Sequence, residues 1–478
     1  MSFTRAFAKN AFFKGAGEVL IRLLSFAFMV LVARTLGESD FGALNFAYSF
    51  PLLFVVIVDF GLNPLLVRDA ARDPERTGVL FRHLLALKLI LGAVFLAAVA
   101  LGLHLIAPSP LMRRCAYWLA AFVLLHSFTE FFNAVFNARQ QLQWEALVFT
   151  LQKVALLVFG LLALGWGMGV LGVAAAYAAA GVLGLAAAAW LLGRSRMLGP
   201  AGSWSADIFR YALRQALPLT LTTLFVNLYF RIDMTLLAKL RPAAEVGWYG
   251  AAHKCIEVLM VVPAVLVVAA FPGFSQLFRT DREQLARVSR QLLRLLVFLG
   301  LPVAVGAVML GEPLMVWLFG KPFAPAGTAL AWLAVALSFI FVNYALSFLL
   351  ISGEHQRVNA LASGMAVVVS VAANLALIPR FGHAGSAAAA ATTELMLLCA
   401  YAWAVRRYLF PLQLGSAVAR TAAAAACMAP AVWWLRALPL LVPVAAGAAV
   451  FTAAAWIFGA VKREDWQLLK RALPGGRG

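Results

Sequence analysis

GEVLIRLLSFAFMVLVARTLGESDFGALNFAYSFPLLFVVIVDFGLNPLLV, residues 17–67, decides the architecture. It holds two apolar windows, 17–34 and 42–67, separated by the short acidic stretch GESD at 37–40. A helix needs about 20 apolar residues to cross the hydrocarbon layer, and each window supplies roughly that. Extended along the chain, the same reading finds further windows at 83–106, 115–137, 145–165, 169–192, 212–238, 247–274, 291–311, 326–351, 358–379, 384–405, 414–435 and 439–460. The sequence therefore predicts an all-α integral membrane protein with about fourteen spans joined by short connections.

Composition agrees. Of 478 residues, 64% are hydrophobic and only 12% charged, with a mean hydropathy of +0.90. A soluble fold must clothe its surface with polar groups, and this chain lacks them. The four cysteines, Cys115, Cys255, Cys399 and Cys427, have no metal-ligand or CxxC spacing and read as small buried hydrophobes.

Lys and Arg total 39 against 20 Asp and Glu, a net charge of +19. In a bilayer protein such an excess first reports topology, because bases collect in cytoplasmic loops. With the N-terminus inside, the inner segments carry the dense groups Arg68, Arg72, Arg76 and Arg82, then Arg194, Arg196, Arg210 and Arg214, then Arg279 to Arg294, and the C-terminal bases from Lys462 on. The outer loops hold single bases or pairs such as Arg34, Arg113 with Arg114, Lys321 and Arg380. This predicts a multi-pass protein of the cytoplasmic membrane with both termini in the cytoplasm, and it removes nucleic acid as a partner. The N-terminal segment lacks a small-residue cleavage site and reads as an uncleaved first helix. The amphipathic stretches SADIFRYALRQALP, residues 205–218, and DREQLARVSRQLLRLL, 281–296, read as helices lying at the inner interface.

Two patterns recur in the same order. Ala33, Arg34, Phe41, Gly42 and Ala47 match Ala238, Lys239, Val246, Gly247 and Ala252, each 205 residues further on. GVLGVAAA at 169–176 matches GHAGSAAA at 382–389. We expect two parallel six-helix lobes, residues 1–193 and 212–406, joined by a cytoplasmic linker at 194–211. Two additional helices and a tail follow at 407–478.

The opening stretch, together with RIDMTLLAKLRPAAEVGWYGAA from Arg231 and NLALIPRFGHAGSAAAAATTE at 374–394, resembles the polysaccharide-unit flippases. These belong to the superfamily that also holds multidrug and toxic-compound extruders and lipid II flippases. The resemblance implies two lobes around a cavity lined chiefly by spans 1, 2, 7 and 8. It further implies alternating access that carries a polyprenyl-diphosphate-linked oligosaccharide from the inner to the outer leaflet. Polysaccharide polymerases and glycosyltransferases are its implied partners, beside the membrane lipids. The extra helix pair is common in relatives that handle lipid-linked substrates. No cofactor is implied. A drug or metabolite antiporter and a lipid II flippase are the neighbouring readings. A membrane glycosyltransferase or polymerase is disfavoured by the short outer loops and the lack of a phosphate-cradling loop or HExxH, so no enzyme is expected and no catalytic or metal-ligating residue is named.

Charges inside spans cost about 2.5–3.5 kcal/mol each on insertion scales, so each needs a partner, a wet cavity or a role. Glu18 and Arg22 are four apart, Lys254 and Glu257 three apart, spacings that allow self-neutralised pairs. Alternatively Arg22, Arg231 and Lys254 hold the diphosphate, Arg22 nearer the cytoplasm and the other two nearer the outer side, with Glu18, Asn227 and Tyr229 beside them. Arginine suits phosphate because its planar fork makes paired, charge-assisted hydrogen bonds. Asn45, Asn343 and Tyr344 are weaker candidates for sugar contact, open equally to interhelical bonding. Asp59 has no base at helical spacing within its span, so it is either paired across helices or protonated. Asp59, Glu130 (four residues from His126) and Asp233 are the candidates for ion coupling.

Overall fold

The computed structural model describes residues 2–106, 109–195, 197–199 and 204–460, with the side chains of residues 2–23 and of a few positions between 218 and 226 outside the description. The described residues form fourteen α-helices and two short 3-10 turns. They run α1 Ser2–Asp59, α2 Leu62–Arg72, α3 Thr77–Ile106, α4 Pro110–Ala138, α5 Leu142–Gly165, α6 Gly169–Ser195 and α7 Ala206–Leu240. Then follow α8 Ala243–Leu259, α9 Val261–Thr280, α10 Arg282–Phe319, α11 Ala326–Ser352, α12 Gln356–Tyr408, α13 Gly415–Leu435 and α14 Leu441–Ile457. No strand occurs among the described residues, as hydrocarbon demands of a chain that must satisfy every backbone group within its own segment.

Among the described residues, ten helical stretches are long and apolar enough to cross a membrane, and the 17-residue α14 is apolar but shorter. Helices and expected windows do not correspond one to one. α1 runs through a non-helical glycine, Gly37 (φ 78°), and contains both windows of the opening stretch. α12 does the same at Gly382 (φ 57°), three residues after Pro379. Only glycine adopts such angles without strain. The arms of α12 are stitched across the bend, because Ser386 Oγ donates to Asn374 Oδ1 at 2.9 Å while Asn374 Nδ2 donates to the Ser370 carbonyl at 2.8 Å.

The two amphipathic stretches are not separate interfacial helices. Each is the first part of a long unbroken helix, α7 (35 residues) and α10 (38 residues), and α10 continues into a stretch apolar enough to cross a membrane. At about 1.5 Å per residue, a helix of that length exceeds the full bilayer thickness of about 40–45 Å, so its polar start projects while its apolar remainder crosses. Capping fixes where they begin. Asp281 accepts from the Gln284 amide at 2.9 Å, and Ser205 accepts from the Asp207 amide at 3.3 Å.

Two compact units are present, one of Lys14–Gly247 and one of Met1–Phe13 with Trp248–Gly478. The core of the first joins α2, α3 and α4 through Leu62, Leu65, Leu66, Leu84, Phe131 and Phe136, with Phe81 and Phe131 stacked 5.1 Å apart. One end of this unit is tied by side chains to backbone. Arg139 donates to the carbonyls of Pro74 (2.8 Å) and Met197 (3.1 Å), and His83 Nε2 accepts from the Ser205 amide at 2.9 Å. In the second unit α11 is buried through Leu333, Leu337 and Phe341. There α13 and α14 pack on α10 through Met428, Val432, Phe451 and Leu310.

Apolar side chains also cover the outside. α3 exposes Leu89, Ile90, Leu101 and Leu105, a patch that would drive a soluble protein to aggregate and that meets lipid tails instead. Trp433 and Trp434 at the end of α13 and Trp456 at the end of α14 are exposed, as in the aromatic belts at membrane interfaces. The same environment corrects the cysteine expectation. Cys115 is buried and Cys255 partly so, but Cys399 and Cys427 are exposed, because a thiol on a lipid-facing helix is already in an apolar medium.

Within the first unit, the second arm of α1 crosses the start of α8 with backbones in contact. A Cβ on Gly42 would collide with the Ala243 carbonyl, and one on Gly247 with the Glu38 carbonyl. Glu38 and Gly42 are 205 residues from Ala243 and Gly247, the offset of the repeated pattern, so the contact is reciprocal. Small residues permit such approach, where no hydrophobic effect holds helices together in lipid. Gly42→Leu or Gly247→Leu should cost at least the ~1–3 kcal/mol of an overpacked core and lower the melting temperature of the purified protein. Gly165→Ala, whose added Cβ meets nothing within 4 Å, should leave it unchanged.

Candidate functional site

Polar side chains buried in the spans gather in several places. The first lies where α1 ends. Phe60 and Gly61 both have positive φ, 37° and 65°, so the helix stops and its last carbonyls lose their partners. Lys88, fully buried on α3, donates to the Val58 carbonyl at 3.2 Å and to Asp59 Oδ1 at 3.0 Å. Ser127 Oγ on α4 also donates to Asp59 Oδ1, at 2.5 Å. The ammonium lies 5.7 Å and 5.6 Å from the ring centres of Phe128 and Phe131. One lysine thus caps a helix C-terminus, neutralises an unfavourably placed carboxylate and joins α3 to α1. Of the alternatives open for Asp59, pairing across helices is the one observed.

One turn further along α4 from Ser127, Glu130 Oε1 stands 3.6 Å from His126 Nε2, and His126 Nδ1 shares a hydrogen bond of 2.9 Å with Gln152 Oε1 on α5. The other side of Glu130 faces a cavity of about 460 Å³ between α2, α4 and α5. Asn63, Arg68, Asn133, Asn137, Glu145 and Phe149 also line it. Arg68 is committed to neighbours, with Nε donating to Asp69 at 2.8 Å and Nη2 to the Tyr211 hydroxyl at 2.9 Å.

On α7, the Arg231 guanidinium lies 5.8 Å from the ring centre of Tyr48 on α1, and Asp233, two residues on, is buried. Asn227 and Tyr229 are half-buried on the same helix, and Tyr229 packs against Phe230 at 4.8 Å. Lys254 belongs to the other unit, where it pairs with Glu257 at 2.7 Å; His253 Nδ1 is 3.4 Å from the same carboxylate. The intrahelical pair expected from spacing therefore forms. The side chains of Glu18 and Arg22 lie outside the described residues.

Two neutral candidates are occupied by internal bonds. Asn45 Nδ2 donates to the Phe41 carbonyl at 2.8 Å, and Asn343 Nδ2 to Glu394 Oε2 at 2.7 Å and to its carbonyl at 2.9 Å. Tyr344 stacks on Phe348 at 5.1 Å. Sequence reading missed Lys88 as the partner of Asp59, and Asn63, Asn133 and Glu145 as cavity lining. Apolar spans containing isolated amides and acids were the available signal, without any spacing to connect them.

Residues 7–278 match the family described as "Polysaccharide biosynthesis protein". No curated protein matches the chain. Among solved structures, it is similar to the lipid II flippase MurJ in an inward closed conformation, with a TM-score of 0.77 at 14% identity over 93% of this chain and 98% of that one. It is also similar to a multidrug resistance MATE family transporter of the MOP superfamily in its inward-facing conformation, with a TM-score of 0.63, 16% identity and coverage of 82% and 98%. The bent form of the Vibrio cholerae MATE transporter VcmN gives a TM-score of 0.53 at 16% identity, with coverage of 86% and 98%. At such identities the likeness is one of fold.

Breaking a buried ion pair from one side leaves an uncompensated charge, at a cost of about 3–5 kcal/mol, whereas replacing both partners by neutral groups can be close to harmless. Lys88→Met alone should strongly reduce the thermal stability of the purified protein. Lys88→Met combined with Asp59→Asn should recover most of that loss, as read from melting curves of the two variants side by side.

Proposed function

Because this chain belongs to the polysaccharide biosynthesis protein family, we propose that it is a flippase that carries a polyprenyl-diphosphate-linked oligosaccharide from the inner to the outer leaflet for surface polysaccharide assembly. The coarser part of this reading is secure: it is a multi-pass membrane protein with the fold of the MOP-superfamily flippases and transporters. Membership of a polysaccharide biosynthesis family, matched over residues 7–278, favours the finer part, and the fold likeness to a lipid II flippase is consistent with a lipid-linked substrate.

In this reading no covalent bond is made or broken. The substrate's two charged phosphates are the costly part to move through hydrocarbon, and fixed positive charge inside a water-poor cavity lowers that cost. Arg22, Arg231 and Lys254 supply the charge, with Glu18, Asn227 and Tyr229 as neighbours that orient it. The Arg231 guanidinium stands 5.8 Å from the centre of the Tyr48 ring, an aromatic contact that orients it, and guanidinium is the cation best matched to phosphate. Lys254 approaches the same task through its pair with Glu257, which the diphosphate would have to displace or share. Asp59, Glu130 and Asp233 remain candidates for coupling to an ion gradient; the bond from Lys88 favours a structural task for Asp59. The working location is the cytoplasmic (inner) membrane with both termini inside, where polymerases and glycosyltransferases of the same assembly line would meet the product.

The MATE fold likeness favours one other reading, an antiporter of drugs or metabolites. Reconstituted vesicles separate the two. The protein should translocate a polyprenyl-diphosphate saccharide, and Arg22→Ala with Arg231→Ala should lower the rate at least tenfold with unchanged protein level. Normal transport by the double variant would sink the arginine assignment. Exchange of organic cations without movement of the sugar-lipid would replace the flippase by the antiporter.

A further inference from the structure

The cavity between α2, α4 and α5 contains an unmet demand for hydrogen bonds. Asn133 is 2% exposed, yet neither its Nδ2 nor its Oδ1 has a hydrogen-bond partner among the described residues. Asn63 Oδ1, on the facing helix, is likewise buried and unpartnered. Buried amides are nearly always paired, and leaving one unpaired costs about 1–3 kcal/mol per group, so an occupant of the cavity that pairs these atoms is favoured. Both asparagines line a cavity large enough for a ligand, beside Glu130, Asn137 and Glu145.

The chemistry of the lining selects the occupant. An anion is refused, because Glu130 and Glu145 repel it and the one arginine, Arg68, is already engaged by Asp69 and Tyr211. A metal cation would satisfy the asparagine carbonyls and the carboxylates but would leave the Asn133 NH₂ without an acceptor. A group that both donates and accepts at neighbouring positions answers every demand. Hydroxyls on a saturated ring are such a group: each gives one proton and accepts through its lone pairs, and the C–H face of the ring suits the Phe149 wall.

We propose that this cavity is a glycosyl subsite, in which Asn133 and Asn63 with the Glu130 and Glu145 carboxylates hold the hydroxyls of one sugar ring. The assignment rests on the flippase reading for the source of the sugar, the lipid-linked glycan. It adds that the sugar is gripped inside one lobe, by residues other than the arginines assigned to the diphosphate. The cavity lies at the end of α4 and the start of α5, around the connection that carries Arg139, on the side that the distribution of bases assigns to the cytoplasm. A ring bound there is held on the side from which the substrate is loaded.

The test uses the detergent-solubilised full chain. Saturation-transfer NMR with methyl glucoside and methyl N-acetylglucosaminide should show saturable binding of at least one. Asn133→Leu should weaken that binding at least tenfold while raising the melting temperature of the unliganded protein, since an apolar group of similar size no longer strands a polar one. If Asn133→Leu fails to fold, Asn63→Ala should give the same loss of binding. No signal from either glycoside means a cavity filled by water alone and overturns the proposal. So does wild-type affinity in the variants, or stabilisation by sodium chloride that depends on Asn133. A vesicle assay with fluorescent polyprenyl-diphosphate N-acetylglucosamine separates this proposal from the reading beneath it. Flipping by wild type with no loss of rate at limiting substrate in Asn133→Leu removes the subsite and leaves the flippase. Glycoside binding lost in Asn133→Leu, without flipping by wild type, keeps the sugar site and removes the flippase.

Discussion

Hydrocarbon offers no hydrogen bonds, and every irregularity in this protein is shaped by that fact. Where α1 stops at Phe60 and Gly61, its freed carbonyl and the Asp59 carboxylate would be intolerable in lipid alone. Lys88 answers both with one ammonium, and Ser127 adds a hydroxyl. Where α12 bends at Gly382, Asn374 and Ser386 tie the two arms together. Where α10 and α7 begin, in more polar surroundings, ordinary caps suffice. The polar residues of the spans are therefore largely the fastenings of a helical frame, which narrows the search for those that serve a ligand.

Against that background the exceptions are informative. Arg231 has an aromatic ring beside its guanidinium, and Asn133, almost completely buried, has no hydrogen-bond partner among the described residues. The first is suited to a compact, strongly charged group and the second to a neutral polyhydroxyl one. A diphosphate-linked glycan contains both, at opposite ends of a short linkage, and separate recognition of the two parts would let one protein require the anchor and inspect the sugar.

The legibility of the chain in its sequence varied with the range of the interactions involved. Windows of apolar residues act locally, and their helical consequence follows from composition alone. The Lys254 and Glu257 pair is also local, three residues apart on one helix, and it forms as spacing suggests. Asp59 illustrates the limit: its partner Lys88 lies 29 residues away on another helix, so no periodicity points to it. The amphipathic starts of α7 and α10 failed in a different way. Their charge pattern correctly implied helices, but whether such a helix lies flat or continues into the bilayer depends on an uninterrupted backbone through residues that favour neither outcome.

The sequence by itself determined that this chain lives in a membrane as helices, because 64% apolar composition in runs of about 20 residues leaves no other stable state. It also placed Gly42 and Gly247 at equivalent positions of a repeated pattern, 205 residues apart. Only tertiary structure decided that these glycines meet each other's helices, that Asp59 is neutralised, and that Asn63, Asn133, Glu130 and Glu145 share one cavity. The physical reason is that lipid solvation acts on each helix separately and is readable from its own residues. Burial, pairing and cavity formation are properties of several helices at once, set by close packing that no single segment encodes.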